Sequence, residues 1–446
     1  MRSIYLFLHT ILLITYIATL WRIIKASPGL TPLVGWWAGL GQFLIAPLSL
    51  MVFLGGYQLP ERYQVDFYWR EMNFRDEKFF LPYLVIWVSF LLASFCVNFF
   101  LPSIQSSERA KPTLARNQLE YILLLTMAFS VLDWLISIKL AGGLEVFLLS
   151  HWYERAESLT TQFGDSFVLL SHLSSANQLI FTIAASLYST FPLQGRKIRK
   201  WLLVLTLIFL LLGMVMSGNR IYVAIYLIAF LVSGLFYSRR RVIVGFLVAA
   251  PFLALIFSIW ASVRHDLTKI SDSVGGYFET GDESRVVSSA FDAAEGIDTL
   301  LLLHMVRDFG SRYEYMYGVS YTRSLLSFIP RALYPEKPKT FSGYLASLYL
   351  PNDLTSLNAT ALGEMYANFG PFTLLAFPFF TLSVIGLTKW CESRQFQHAL
   401  VPAILFAVMF WTARTTFEDS FVLFVIAFGL MSVFRMEKGL CFDKAS

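Results

Sequence analysis

The chain has 446 residues, 56% of them hydrophobic and only 15% charged, with a formal charge of +5 and a mean hydropathy of +0.60. A soluble protein of this size could not hide so much apolar surface, so a soluble enzyme is excluded and an all-α polytopic membrane protein is expected. The small positive charge is what basic residues in short cytoplasmic loops produce, and the sequence has no P-loop or Gly-rich dinucleotide turn, so no nucleic acid is expected.

In chain order, about eleven membrane spans (10–12) are expected, at 3–24, 32–54, 79–101, 118–140, 167–192, 201–218, 221–237, 242–262, 367–388, 399–413 and 418–434. The first has only Arg2 before it and no small-residue cleavage site after it, which predicts a retained span. Orientation follows from three basic groups in short loops: Arg109, Lys111 and Arg116; "RKIRK" at 196–200; and "RRR" at 239–241. Basic residues in short loops stay cytoplasmic, so 55–78, 141–166, 218–220 and 263–366 are expected outside. The N-terminus is then outside and the C-terminus inside. Tryptophans near span ends (Trp21, Trp201, Trp260, Trp390, Trp411) fit an interfacial belt. Three cysteines, Cys96, Cys391 and Cys441, have no zinc or haem spacing, and no redox chemistry is implied.

Three regions result: an N-terminal transmembrane bundle of about eight spans over 1–262, a long outer loop over 263–366, and C-terminal transmembrane helices with a tail over 367–446. The loop holds apolar stretches too short to span, "TLLLLHMV" (299–306) and "SLLSFIP" (324–330), which predict short amphipathic helices on the outer surface. It carries 9 basic and 13 acidic residues, so bulk attraction cannot bring an anion there and only placed arginines could.

Arg220, in "MSGNRIYVAIY", opens a span, where guanidinium and helix dipole both favour an anion. Its bland reading is a snorkelling arginine. Arg264 follows the eighth span and Arg414 the tenth, so three spans each bring an arginine to one membrane face. Together they could hold one multivalent anion. His304 lies three residues before Arg307, on one face if the segment is helical, and could accept a hydroxyl proton. Its alternative reading is a packed histidine. Glu364 is an alternative base, and Glu418 and Asp419 are others, equally readable as partners of Arg414. Asp133, inside the fourth span, could pair with Lys139 or mark a proton path.

"SGNR" opening a span, "GGLEVFLLSHWYERAE" (142–157), "FIPRALYPEKP" (328–338), "LGEMYANFGP" (362–371) and "ARTTFEDSFVLFVIAFG" (413–429) resemble the Wzy-type oligosaccharide repeat-unit polymerases, the O-antigen polymerases of the bacterial inner membrane. The resemblance implies a GT-C-like, metal-independent membrane glycosyltransferase without a cofactor, working on the periplasmic face. It implies that undecaprenyl-diphosphate-linked oligosaccharides and membrane lipid are its partners, together with a chain-length regulator. The nascent chain passes to a new lipid-linked unit and undecaprenyl diphosphate leaves. On this reading Arg220, Arg264, Arg414, Arg331 and Arg307 hold the diphosphate, and His304 or Glu364 is the base. Tyr313, Tyr315, Tyr317, Tyr344 and Tyr349 are available to sugar faces. Two alternatives stay open: an O-antigen ligase with a lipid A core acceptor, and a lipid-linked oligosaccharide flippase or other transporter, for which Asp133 is the main support.

Overall fold

The computed structural model describes residues 1–26, 29–58, 71–101, 116–144, 165–217, 219, 221–263, 295–329, 333–350, 357–393, 400–426 and 428–429. The helices are α1 (Arg2–Ala26), α2 (Pro32–Leu40), α3 (Ala46–Leu54), α4 (Phe80–Phe100), α5 (Arg116–Leu140), α6 (Asp165–Ser189), α7 (Lys200–Ser217), α8 (Ile221–Val263), α9 (Gly296–Asp308), α10 (Val319–Leu325), α11 (Phe341–Tyr349), α12 (Thr360–Phe369), α13 (Thr373–Ser393) and α14 (Leu400–Arg414). A π turn, Gly41–Ile45, joins α2 to α3. One short hairpin pairs β1 (Gly56–Gln58) antiparallel to β2 (Glu71–Asn73), with Tyr57 opposite Met72.

Among the described residues, six segments are long and apolar enough to cross a membrane: Arg2–Ala26, Pro32–Leu54, Glu77–Phe100, Arg116–Leu140, Lys200–Ser217 and Thr360–Glu392. Ile221–Leu235 and Leu400–Arg414 are shorter apolar helices. This is an all-α, multi-pass membrane protein. Large side chains such as Phe7, Phe95 and Phe379 point outward at 66%, 64% and 70% exposure, as lipid contact requires. Trp21, Trp201 and Trp390 are exposed near helix ends, whereas Trp411 is buried, its ring 5.5 Å from that of Tyr222.

The bundle's tightest seam runs between α2 and α14. Thr31 caps α2, its hydroxyl accepting from the Val34 N–H at 3.4 Å, and Pro32 opens the first turn. The sequence that follows, "GWWAG", puts Gly35 and Gly39 one turn apart on one face, the small-xxx-small spacing that lets membrane helices approach closely. A Cβ on Gly35 would collide with the backbone of Phe406, and one on Gly39 would stand 2.6 Å from the Ala413 methyl. The flanking indoles serve the neighbours: Trp36 donates to Thr381 on α13 at 3.3 Å, and Trp37 stacks near Tyr16 of α1.

Helix α8 runs without a break in its backbone pattern from Ile221 to Val263. A straight helix would separate Gly234 from Val242 by about 12 Å. A Cβ on Gly234 would instead lie 2.7 Å from Val242 Cγ2 and 3.3 Å from Leu193 Cδ1. The chain therefore folds back sharply between them, where two separate spans are expected. The same contacts put this bend, which carries Arg239–Arg241, beside the turn that leads to Arg196–Lys200. Glu120 joins Arg116 (2.7 Å) and Arg199 (3.3 Å) at that end of the bundle. Arg116, the 196–200 group and the 239–241 group thus share one face; Arg109 and Lys111 lie outside the described residues.

Helix α9 departs from expectation. "TLLLLHMV" is buried on nearly all sides among α3, α4 and α12, and does not lie on the outer surface. Thr299 donates to the Phe43 carbonyl at 2.7 Å. Its leucines occupy four consecutive positions and cover every face of a turn, and a helix apolar all round belongs in a core. The described part of the other stretch, 324–329, fits the surface reading better, with Leu325 at 66% and Phe328 at 47% exposure.

Candidate active site

The sequence "ARTTFEDS" builds the centre of the site. Arg414 ends α14. Thr416 then caps the helical turn that starts at Phe417, its hydroxyl accepting from the Asp419 N–H at 3.4 Å. This is a capping arrangement, with Glu418 and Asp419 in the first turn where a helix dipole favours acids. Both acids are thereby fixed on the loop side of the bundle, away from the basic face.

Helix α10 supplies the countercharge. Arg323 Nη1 lies 2.7 Å from Glu418 Oε1, with side chains 9% and 7% exposed. Arg323 Nε also donates to the Pro338 carbonyl at 2.9 Å, and Ser327 donates to Glu418 at 3.0 Å. Lys337 folds back and donates to the carbonyls of Ser327 and Ile329 at 3.2 and 2.9 Å. The proline-rich phrase is thus pinned to the end of α10 through Lys337 and the Pro338 carbonyl. Arg414 faces the start of α9, Nη2 3.4 Å from Glu295 and Nε 3.8 Å from Asp298. Asp419 feels the fields of His172 on α6, Arg414 and Arg323, and His172 feels Asp419, Arg323 and Lys337. Three cations and a histidine from four parts of the chain meet five carboxylates in one buried layer.

Glu364 is the fifth carboxylate. It is 1% exposed on α12. Ser320 donates to Oε1 at 2.6 Å and the Phe417 N–H to Oε2 at 2.5 Å. Asn368, one turn on, donates to Ser320 and to the Glu364 carbonyl, both at 2.8 Å. Glu364 edges a cavity of about 310 Å³ whose other walls are mainly apolar, including Met365, Phe379, Phe380 and Phe417. Phe369 and Phe379, at 39% and 70% exposure, stand at its outer side. Tyr321 also lines it, and burial beside Glu364 raises that phenol well above its usual range.

The other expected residues fall elsewhere. His304 and Arg307 sit toward the opposite end of α9, Arg307 about 14 Å along the axis from Asp298. His304 is 1% exposed, donates from Nε2 to the Glu71 carbonyl at 3.1 Å, and packs edge-on to Phe79. Burial, helped by Arg307, lowers its pKa from the model-compound 6.5 to about 3. Folding therefore favours the neutral ring. The associated stability should be complete above pH 6.5 and drain away as pH falls toward 3, by at most about 1.4 kcal/mol per pH unit. The midpoint temperature of detergent-solubilised protein between pH 7.5 and 4.5 should show this slope, and His304→Gln should flatten it. Arg307 is engaged with Asp308 at 2.7 Å. Asp133 accepts from Ser174 at 2.7 Å, across the α5–α6 seam, instead of pairing with Lys139. Of the tyrosines, Tyr313 and Tyr349 pack on each other, while Tyr317 is 81% exposed. Arg220, Arg264 and Arg331 lie outside the described residues, as does most of 142–157.

Sequence reasoning missed Arg323 and His172 as members of the layer. One signal was present for Arg323: Ser320, Arg323, Ser324 and Ser327 recur at helical spacing within an apolar phrase. For His172 there was none, since its partner Asp419 is remote in the chain.

An all-helical membrane protein with a buried, ion-paired layer beside a lipid-facing cavity is the class these features define. Two curated proteins described as "O-antigen polymerase", from Salmonella typhimurium (strain LT2) and Salmonella typhi, are each 29% identical to this chain over 139 residues. The match spans 30% of this chain and 30% of the length of each relative. No family model and no solved structure matches the chain.

Proposed function

We propose that the protein polymerises oligosaccharide repeat units carried on a polyprenyl diphosphate, working at the periplasmic face of the bacterial inner membrane. Two things support this reading: the similarity to the two O-antigen polymerases, and above all the gathering of Arg323, Lys337 and Arg414 next to an apolar cavity that faces lipid. A hydroxyl of the incoming unit attacks the anomeric carbon of the nascent chain. The bond from that carbon to the diphosphate breaks, and the diphosphate leaves with the electron pair. Its growing charge needs fixed cations in a water-poor place. Arg323 and Arg414 supply them, joined by Arg220, Arg264 and Arg331. Their carboxylate partners, Glu418, Glu295 and Asp298, hold the guanidiniums in position until the anion arrives. The first isoprene units lie in the cavity along Met365 and Phe380. Glu364, at its edge, is better placed to take the hydroxyl proton than His304, which faces the far end of α9. Lipid-linked oligosaccharides are the substrates, and a chain-length regulator is a partner on the same face.

The test is lipopolysaccharide from a deletion strain. Loss of a polymerase leaves core bearing a single repeat unit, whereas bare core would indicate a ligase or flippase and sink the reading. Complementation with Arg220→Ala or Arg264→Ala should each reproduce the single-unit pattern at undiminished protein level. Normal long chains from both would remove these arginines from the reaction.

A further inference from the structure

A second cavity lies at the opposite end of α9 from the charged layer. It has about 560 Å³, within the range of small-molecule sites. Three separate segments close it: Arg2 at the start of α1, the β1–β2 hairpin, and the turn entering α4. Its lining is unlike that of the lipid-facing cavity. Gln58, Asn73 and Glu71 offer amide and carboxylate groups, Arg75 and Lys78 offer donors, and Tyr57 offers a ring. Arg2, Arg75 and Lys78 face Glu71 and Asp76, and Lys78 is already 2.6 Å from Asp76. A nearly balanced, donor- and acceptor-rich concavity does not suit a polyanion or a hydrocarbon chain. It suits a ligand covered with hydroxyls.

Helix α9 connects this cavity to the charged layer. At one end Asp298 meets Arg414. At the other, His304 donates to the Glu71 carbonyl and the Arg307 guanidinium lies 5.6 Å over the Phe79 ring, and both Glu71 and Phe79 line the cavity. The two places are thus tied to residues about 14 Å apart along one rigid helix, Asp298 and Arg307. We infer that this outer cavity is a second glycan site, which holds a distal stretch of the growing saccharide while its reducing end occupies the charged layer. The inference rests on the proposed function. A site of this kind raises the local concentration of the chain end after each transfer, and so sets how many units are added.

The test uses Gln58→Ala/Arg75→Ala, which removes two exposed side chains, and Gln58→Trp, which fills the cavity. In the complemented deletion strain both variants should keep a ladder but move its most abundant length to fewer units. In lipid nanodiscs, wild-type protein should bind polysaccharide released from the strain's own lipopolysaccharide by mild acid, and the variants should bind it at least tenfold more weakly. An unchanged ladder with unchanged binding overturns the inference. So does a single-unit pattern at normal protein level, which would put these residues in the transfer step. Displacement of the saccharide by glycerophosphoethanolamine would assign the cavity to a lipid headgroup and also overturn it. Failure of the proposed function reads differently: the deletion strain would then lack the single-unit pattern, while the binding measurement still decides whether the cavity takes a glycan.

Discussion

Arg323→Ala should abolish long-chain product and lower the amount of folded protein, whereas Arg323→Met/Glu418→Leu should restore the protein but not the product. The pair is almost fully buried, with a 2.7 Å contact. Removing one partner strands the other charge in a low-dielectric interior, at a cost of about 3–5 kcal/mol. Replacing both by apolar side chains of similar volume is often neutral or better. The double variant therefore separates two roles that the single variant confounds. If Arg323 is only a strut, restored protein brings back the ladder of chain lengths. If it grips the departing diphosphate, the double variant accumulates to wild-type level and makes core bearing one unit. Protein quantified by blot, beside silver-stained lipopolysaccharide, reads both at once.

The second large effect is expected from a single methyl group. Gly35→Ala should lose most folded protein, while Gly386→Ala on α13 should be neutral or slightly stabilising. A Cβ on Gly35 meets the backbone of Phe406, which cannot rotate away as a side chain can. Helix α14 would have to shift, and α14 carries Arg414. Overpacking of this kind costs about 1–3 kcal/mol, and more where backbone must move. A Cβ on Gly386 meets nothing within 4 Å, and alanine there removes only glycine's entropic penalty of about 0.5–1 kcal/mol. The readouts are the monodisperse fraction after detergent extraction and its melting temperature. A Gly35→Ala protein as stable as wild type would mean that the α2–α14 seam is looser than it stands here.

The seam shows how legibility divided. "GWWAG" sits in a stretch read from the sequence only as a span, because hydropathy reports how apolar a segment is and not which face meets which neighbour. The same limit explains α9. Its apolar run was plain, but a length short of a span suggested a surface helix, and only the walls around it show a core. Arg307 and His304 are neighbours of each other, as their spacing predicts, yet they stand at the wrong end of α9 to meet Arg414. Glu364 was visible as one acid among several. Ser320, Asn368 and the Phe417 N–H, from three places in the chain, single it out.

Membrane residence, the approximate position of most helices and the gathering of basic loops on one face were determined by the sequence alone. Each depends on sums over neighbouring residues, and such sums survive any arrangement of the helices. Which charges meet was decided only by the tertiary structure. Arg323 finds Glu418, and Arg414 finds Glu295 and Asp298, because α9, α10 and α14 converge. In a water-poor interior a charge needs a partner within a few ångströms, and that distance is a property of packing, not of order along the chain.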